Sequence, residues 1–248
     1  MMISHKIKTL KIPNIDKLNQ VQAAKKMAEA GWKIFPCCVS SKSPATDHGF
    51  KDATNDPVMI DIWCQKYWSN QDEYSIGLAT GGMNGVWVLD IDQKTDGPIS
   101  LSALVENYGP IDTATAFTGG GGFHYVFSCS DSFQVKTKVG ILPGIDTRGE
   151  GGYIIIAPSK HDSGNYYSWE QTEIKETPDW LIDFLEKHNG LKTESQYDEH
   201  SEPQIKDSIK TTAYGQKVLD EQCLQIQTAP EGQRNSIINT ACCVIGNY

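Results

Sequence analysis

Two aspartates, Asp90 and Asp92, stand one residue apart at the end of the apolar run Val86-Trp87-Val88-Leu89. Bounded by Gly85 and by the polar Gln93-Lys94-Thr95-Asp96-Gly97, this run predicts a buried strand. Side chains alternate along a strand, so Asp90 and Asp92 share a face while Ile91 takes the other. Two like charges that close need a cation or strong donors. One reading is therefore a carboxylate pair for a hard divalent ion. The other is a strand running into a polar turn, where aspartates are common.

Two further clusters bear on that choice. In Thr118-Gly119-Gly120-Gly121-Gly122-Phe123-His124, four glycines precede a histidine at the start of a second apolar run. Backbone amides of such a turn can cradle phosphate oxygens, and the imidazole can donate to them; a bare hairpin turn is the simpler alternative. In Gly144-Ile145-Asp146-Thr147-Arg148-Gly149, an aspartate and an arginine share a side if a strand persists there. A local Asp–Arg surface pair would explain the same residues. Together the clusters offer three carboxylates, a histidine, an arginine and two glycine-rich segments. Phosphoryl chemistry on a nucleotide asks for that set: carboxylates for one or two divalent ions and donors for a triphosphate. The chain has no Walker-type phosphate loop, dinucleotide fingerprint or serine nucleophile elbow.

The elements that must position these residues follow from periodicity. Ile15 to Ala30, Pro57 to Trp68 (with Asp56 as cap), Pro98 to Tyr108 and Trp180 to His188 predict helices. Strands are expected at 32–39, 74–79, 86–92, 114–117, 123–127, 153–157 and 166–169, and residues 133–147 read as a loop with Lys136 and Lys138. Interspersed helices and strands, antiparallel late in the chain, predict an α+β domain over 1–190. An acidic, polar linker is expected over 191–206, and over 207–248 a helical segment, either cut from a longer chain or packed back on the main domain.

At 248 residues the chain can bury a sizeable core. No run is long and apolar enough to span a membrane, and Met1 to Lys11 lacks a signal-peptide core, so a cytoplasmic location is expected. Seven cysteines without regular spacing read as reduced thiols, and no zinc site is expected. The net charge of −9 argues at first against nucleic acid, but Glu170 to Pro203 alone holds ten acidic residues against three lysines. The stretch with the aspartate pair is thus nearly neutral.

The order of motifs resembles the bifunctional DNA primase/polymerase N-terminal family, the prim-pol domain of plasmid and phage replication proteins related to archaeo-eukaryotic primases. The resemblance rests on Ala30 to Pro36, Lys42-Ser43-Pro44, Gly49 to Asp56, Ile76 to Gly81, Val86 to Asp92, the glycine run into His124-Tyr125-Val126-Phe127, Gly144 to Tyr153, and Ala157-Pro158-Ser159-Lys160-His161 with Gly164 to Trp169. It implies an α/β unit packed beside an RNA-recognition-like, largely antiparallel sheet, followed by C-terminal helices. Asp90, Asp92 and Asp146 would match the family's metal-binding carboxylates, at a two-ion site for magnesium or manganese. His124 would match the histidine on the incoming nucleotide's phosphates. Arg148 and Lys42 would contact phosphate or template, with Gly121 and Gly122 in the nucleotide-binding turn. The family commonly has serine where this chain has Gly120, and often a basic residue where it has Phe123; those departures bear on nucleotide affinity.

The expected activity is primer synthesis and extension on single-stranded DNA from deoxyribo- or ribonucleoside triphosphates, with a replicative helicase in cis or in trans. Trp63, Lys66, Tyr67 and Trp68 form one candidate template surface, although tryptophans at helical spacing are commonly core. Two alternatives stay open: a non-catalytic nucleic-acid-binding module, and an Asp-x-Asp metal-dependent nucleotide-sugar transferase, which would not need the Asp146-Thr147-Arg148 segment.

Overall fold

A capping box sets the start of the first helix. Asn19 Oδ1 accepts the Gln22 amide at 2.9 Å and Gln22 Oε1 accepts the Asn19 amide at 3.1 Å, so α1 spans Gln20–Glu29 and not the expected Ile15–Ala30. Ile15 belongs to an extended lead-in and is buried there. Strand β1 (Ile34–Cys38) follows, then α2 (Pro57–Trp63), which begins where Asp56 accepts the Val58 amide. A π-helical turn, Cys64–Trp68, extends α2. The computed structural model describes residues 11–15, 17–130 and 132–189, all within the first of two compact units, Met1–Tyr197. The expected linker 191–206 and helical segment 207–248 lie outside the described residues.

The remaining elements are β2 (Tyr74–Ala79), β3 (Val86–Ile91), α3 (Gly97–Tyr108), β4 (Ala114–Phe117), β5 (Phe123–Ser128), β6 (Lys138–Leu142), β7 (Ile145–Arg148), β8 (Tyr153–Ile156), β9 (Ser168–Gln171) and α4 (Asp179–Asn189). They build two antiparallel sheets, a small one ordered β1-β2-β8 and a six-stranded one ordered β6-β7-β3-β5-β4-β9. The α+β class expected from the sequence is present, with an α/β unit beside a largely antiparallel sheet. The loop expected over 133–147 is corrected: β6 and β7 form a hairpin inside it, and β7 pairs with β3.

The pleat of β3 divides its side chains between two cores. Trp87, Leu89 and Ile91 join Leu104 of α3 and Leu181, Phe184 and Leu185 of α4. There Trp87 stacks on Phe127 at 4.9 Å, and its indole N–H donates to Thr177 Oγ1 at 2.8 Å. Val86 and Val88, on the other face, enter the larger core with the small sheet, α1 and α2. Burying each such large apolar side chain contributes roughly 1.5–3 kcal/mol. Asp90 continues the Val86–Val88 face one step further, where that core ends.

Among the described residues no helix is long and apolar enough to cross a membrane. Cys37, Cys38, Cys64 and Cys129 are free thiols; Cys223, Cys242 and Cys243 lie outside the described residues.

Candidate functional site

Strand register brings the chemistry together. Asp90 of β3 lies opposite His124 of β5 on one side and opposite Asp146 of β7 on the other. His124, Asp90 and Asp146 therefore form one row across three neighbouring strands, and directly opposed residues share a face. Arg148, two residues beyond Asp146, reaches back along that face. Its Nε and Nη2 each donate to Asp90 Oδ2 at 3.2 Å, and Nη2 also donates to Asp146 Oδ2 at 2.7 Å. The second oxygen of Asp146 accepts the Gly140 amide at 2.8 Å. His124 Nε2 stands 3.4 Å from Asp90 Oδ1, while its Nδ1 is buried without a hydrogen-bond partner among the described residues. Burial pushes the Asp90 carboxyl up, but His124 and Arg148 outweigh it and hold the group below the usual carboxylate range.

This row borders a cavity of about 360 Å³. Lys42, Lys94, His161, Tyr167, Gly120 and Gly122 line it with Asp90, Asp92, His124, Asp146 and Arg148. Of the residues named from the sequence for metal and nucleotide, all but Gly121 thus line one cavity, and the suggested template residues Trp63, Lys66, Tyr67 and Trp68 do not. Lys42 sits in left-handed backbone at φ 56°, fixed by the Tyr153 hydroxyl donating to its carbonyl at 3.1 Å.

Three details depart from expectation. Asp92 does not join the other carboxylates: it lies past the end of β3, exposed, and its Oδ1 accepts the Lys94 amide at 2.9 Å. The amides of Gly121 and Gly122 are already used, both by Thr118, at 2.9 Å each, so the expected phosphate cradle is not free there. Gly120, whose amide has no acceptor among the described residues, lines the cavity instead. Gly122 is required for packing, since a Cβ there would run into the Ile91 carbonyl of β3. The suggested template surface is also core in part. Trp63 and Trp68 are buried, Trp68 donates to the Ser75 carbonyl, and Lys66 lies over the Tyr67 ring.

Among the described residues no group of three or more His, Cys, Asp or Glu is arranged to hold a metal ion. The donor chemistry nevertheless suits a hard cation for two of the three aspartates. A single guanidinium nitrogen touches both Asp90 Oδ2 and Asp146 Oδ2, so one positive centre already bridges them.

The sequence alone assigns no role to Lys94, Tyr167 or His161. Lys94 follows the aspartate pair by two residues, and the other two fall within motifs that resemble the family. The placement of His161 and Tyr167 on one cavity wall with Asp90 depends on contacts between segments some 70 residues apart, which no local pattern reports.

Residues 24–180 match the family described as bifunctional DNA primase/polymerase, N-terminal, and this span contains every residue that lines the cavity. The chain belongs to the Prim-Pol family. Prim-Pol membership supports nucleotidyl transfer as the class of chemistry, and nucleotides and nucleic acid as the class of ligand. It gives no support to the sugar-transferase alternative. No curated protein matches the sequence.

Proposed function

We propose that the chain carries out template-directed nucleotidyl transfer, making primers and extending them on single-stranded DNA in plasmid or phage replication. The observation that carries this reading is the registered row His124–Asp90–Asp146 at the border of a cavity with Lys42, Lys94 and Arg148. Deoxyribo- or ribonucleoside triphosphates are the substrates, and a cytoplasmic setting with a replicative helicase, in cis or in trans, is part of the same proposal.

Asp90 and Asp146, with Asp92 alongside, would hold magnesium or manganese, which when bound lowers the pKa of the attacking 3′-hydroxyl and offsets charge on the triphosphate. Arg148 reaches both carboxylates and would shift part of its charge toward the phosphates once they arrive. Lys42 and Lys94 offset the remaining negative charge of the nucleotide. His124, buried and fixed beside Asp90, orients that carboxylate and presents its ring to the substrate. The domain division 1–190, 191–206 and 207–248 belongs to the proposal too.

The test is incorporation of labelled deoxyribo- and ribonucleotides on primed and unprimed single strands with magnesium or manganese. The parent should yield product, and the Asp90→Ala/Asp92→Ala double variant none, with unchanged circular dichroism. A non-catalytic module that binds nucleic acid is the second reading, favoured by the Arg148 bridge that already neutralises Asp90 and Asp146. It prevails if the parent makes no product while parent and double variant bind single-stranded DNA equally.

A further inference from the structure

His161 lies on the wall of the same cavity, and its ring is fixed by the loop that carries it. Nδ1 lies 2.8 Å from Asp162 Oδ1 and 2.9 Å from Ser163 Oγ, and accepts the Ser163 amide at 3.1 Å. The loop is tied in turn to the glycine run, because Ser163 Oγ and Asn165 Nδ2 both donate to the Gly119 carbonyl. An acceptor and a donor thus both face Nδ1, so the ring is accommodated whichever nitrogen carries the proton. Nε2 has no partner among the described residues and lies beside Gly120.

The surroundings of Nε2 are positive. Lys42 and Lys94 line the same cavity, and after burial it is chiefly Lys42 that holds His161 below the usual histidine range. The Gly120 amide adds an unused donor on the same wall. Tyr167 stands between the two histidines, its ring centroid 5.9 Å from that of His161 and 6.0 Å from that of His124, the neighbour of Asp90. A ligand that spans the carboxylates and His161 passes Tyr167 and ends among Lys42, Lys94 and the Gly120 amide, where negative charge is favoured.

We propose that His161 binds the polyphosphate tail of the nucleotide through Nε2–H, a contact distinct from that of His124. This rests on the proposed nucleotidyl-transfer reading and adds to it the residue that distinguishes a triphosphate from a monophosphate. Gly120 keeps the approach open: a Cβ there would stand 3.4 Å from Nε2, in space that a side chain can occupy without a backbone clash.

Calorimetric titration of the full chain with dATP and dAMP, in magnesium and without template, tests the assignment. His161→Asn keeps an amide at the Nδ1 position and removes the group at Nε2, whereas His161→Gln returns an amide N–H near Nε2. Losing a hydrogen bond to a charged group predicts a roughly ten- to hundredfold weaker dATP affinity for His161→Asn. Its affinity for dAMP and its melting temperature should match the parent, and His161→Gln should recover most of the loss. Gly120→Val, which covers Nε2 and leaves His161 in place, should weaken dATP in the same way. If His161→Asn and Gly120→Val bind dATP as the parent does, the assignment is wrong. Equal losses for dAMP, or a loss confined to a labelled single-stranded oligonucleotide, also overturn it, the latter in favour of a strand contact. If the parent itself binds no dATP, the nucleotidyl-transfer reading fails first and this assignment falls with it.

Discussion

Arg148 holds two carboxylates with one nitrogen, and its removal has a defined consequence. In Arg148→Ala, Asp90 and Asp146 would stand opposed and half-buried without the cation they now share. The expected cost is about 1–3 kcal/mol, the usual penalty for leaving such groups unpaired. Manganese should raise the melting temperature of the variant more than that of the parent, because an ion would no longer compete with the guanidinium. Equal responses would show that the two carboxylates do not share a cation. Asp90 also makes stability depend on pH. Its folded-state pKa is depressed, since His124 and Arg148 outweigh burial. The stabilisation is therefore complete above the unfolded value near ~3.9 and is lost as pH falls through the lower folded one. The stability gap between parent and Asp90→Asn should narrow as pH falls below about 4 in urea unfolding; a gap that widens on acidification contradicts this assignment of charge.

At the scale of elements, β3 was legible because it has a clear period and an abrupt polar end, and β5 because aromatic and β-branched residues follow the glycine run. The β6–β7 hairpin was not. Lys138, Val139 and Gly140 are all exposed and the pairing of β6 with β7 is irregular, so the strand shows no alternation to detect. The early start given to the first helix has a different cause: Ile15 and Leu18 fit a helical spacing, but Asn19 and Gln22 satisfy each other's backbone amides and begin the helix later. For the site, the residue types at 90, 124, 146 and 148 were readable, whereas the turning away of Asp92 and the use of the Gly121 and Gly122 amides depend on local hydrogen bonds. The β3–β5 pairing yields a further expectation. Gly122→Ala would push the start of β5 off the Ile91 carbonyl, at the upper end of the roughly 1–3 kcal/mol typical of overpacking. Gly120→Ala, where space exists, should cost less than half as much in the same chemical denaturation experiment.

At the scale of the molecule, both hydrophobic cores and the whole cavity wall lie between Ile12 and Leu185, inside the unit Met1–Tyr197. A fragment of residues 1–197 should therefore fold alone, with the melting temperature and dATP affinity of the full chain; a large loss of either would show that residues after 197 complete the site. The pleat of β3 has one more effect. Its odd positions, 87 to 91, face α3 and α4, and its even positions face the small sheet and the cavity. A molecule that closed with β3 one residue out of register could still make a full ladder of backbone bonds, yet it would send Asp90 into oil and Leu89 into the site. Such a misfolded form would look native by circular dichroism and bind no nucleotide, so the fraction of a preparation that binds dATP counts the molecules in which that strand has found its place.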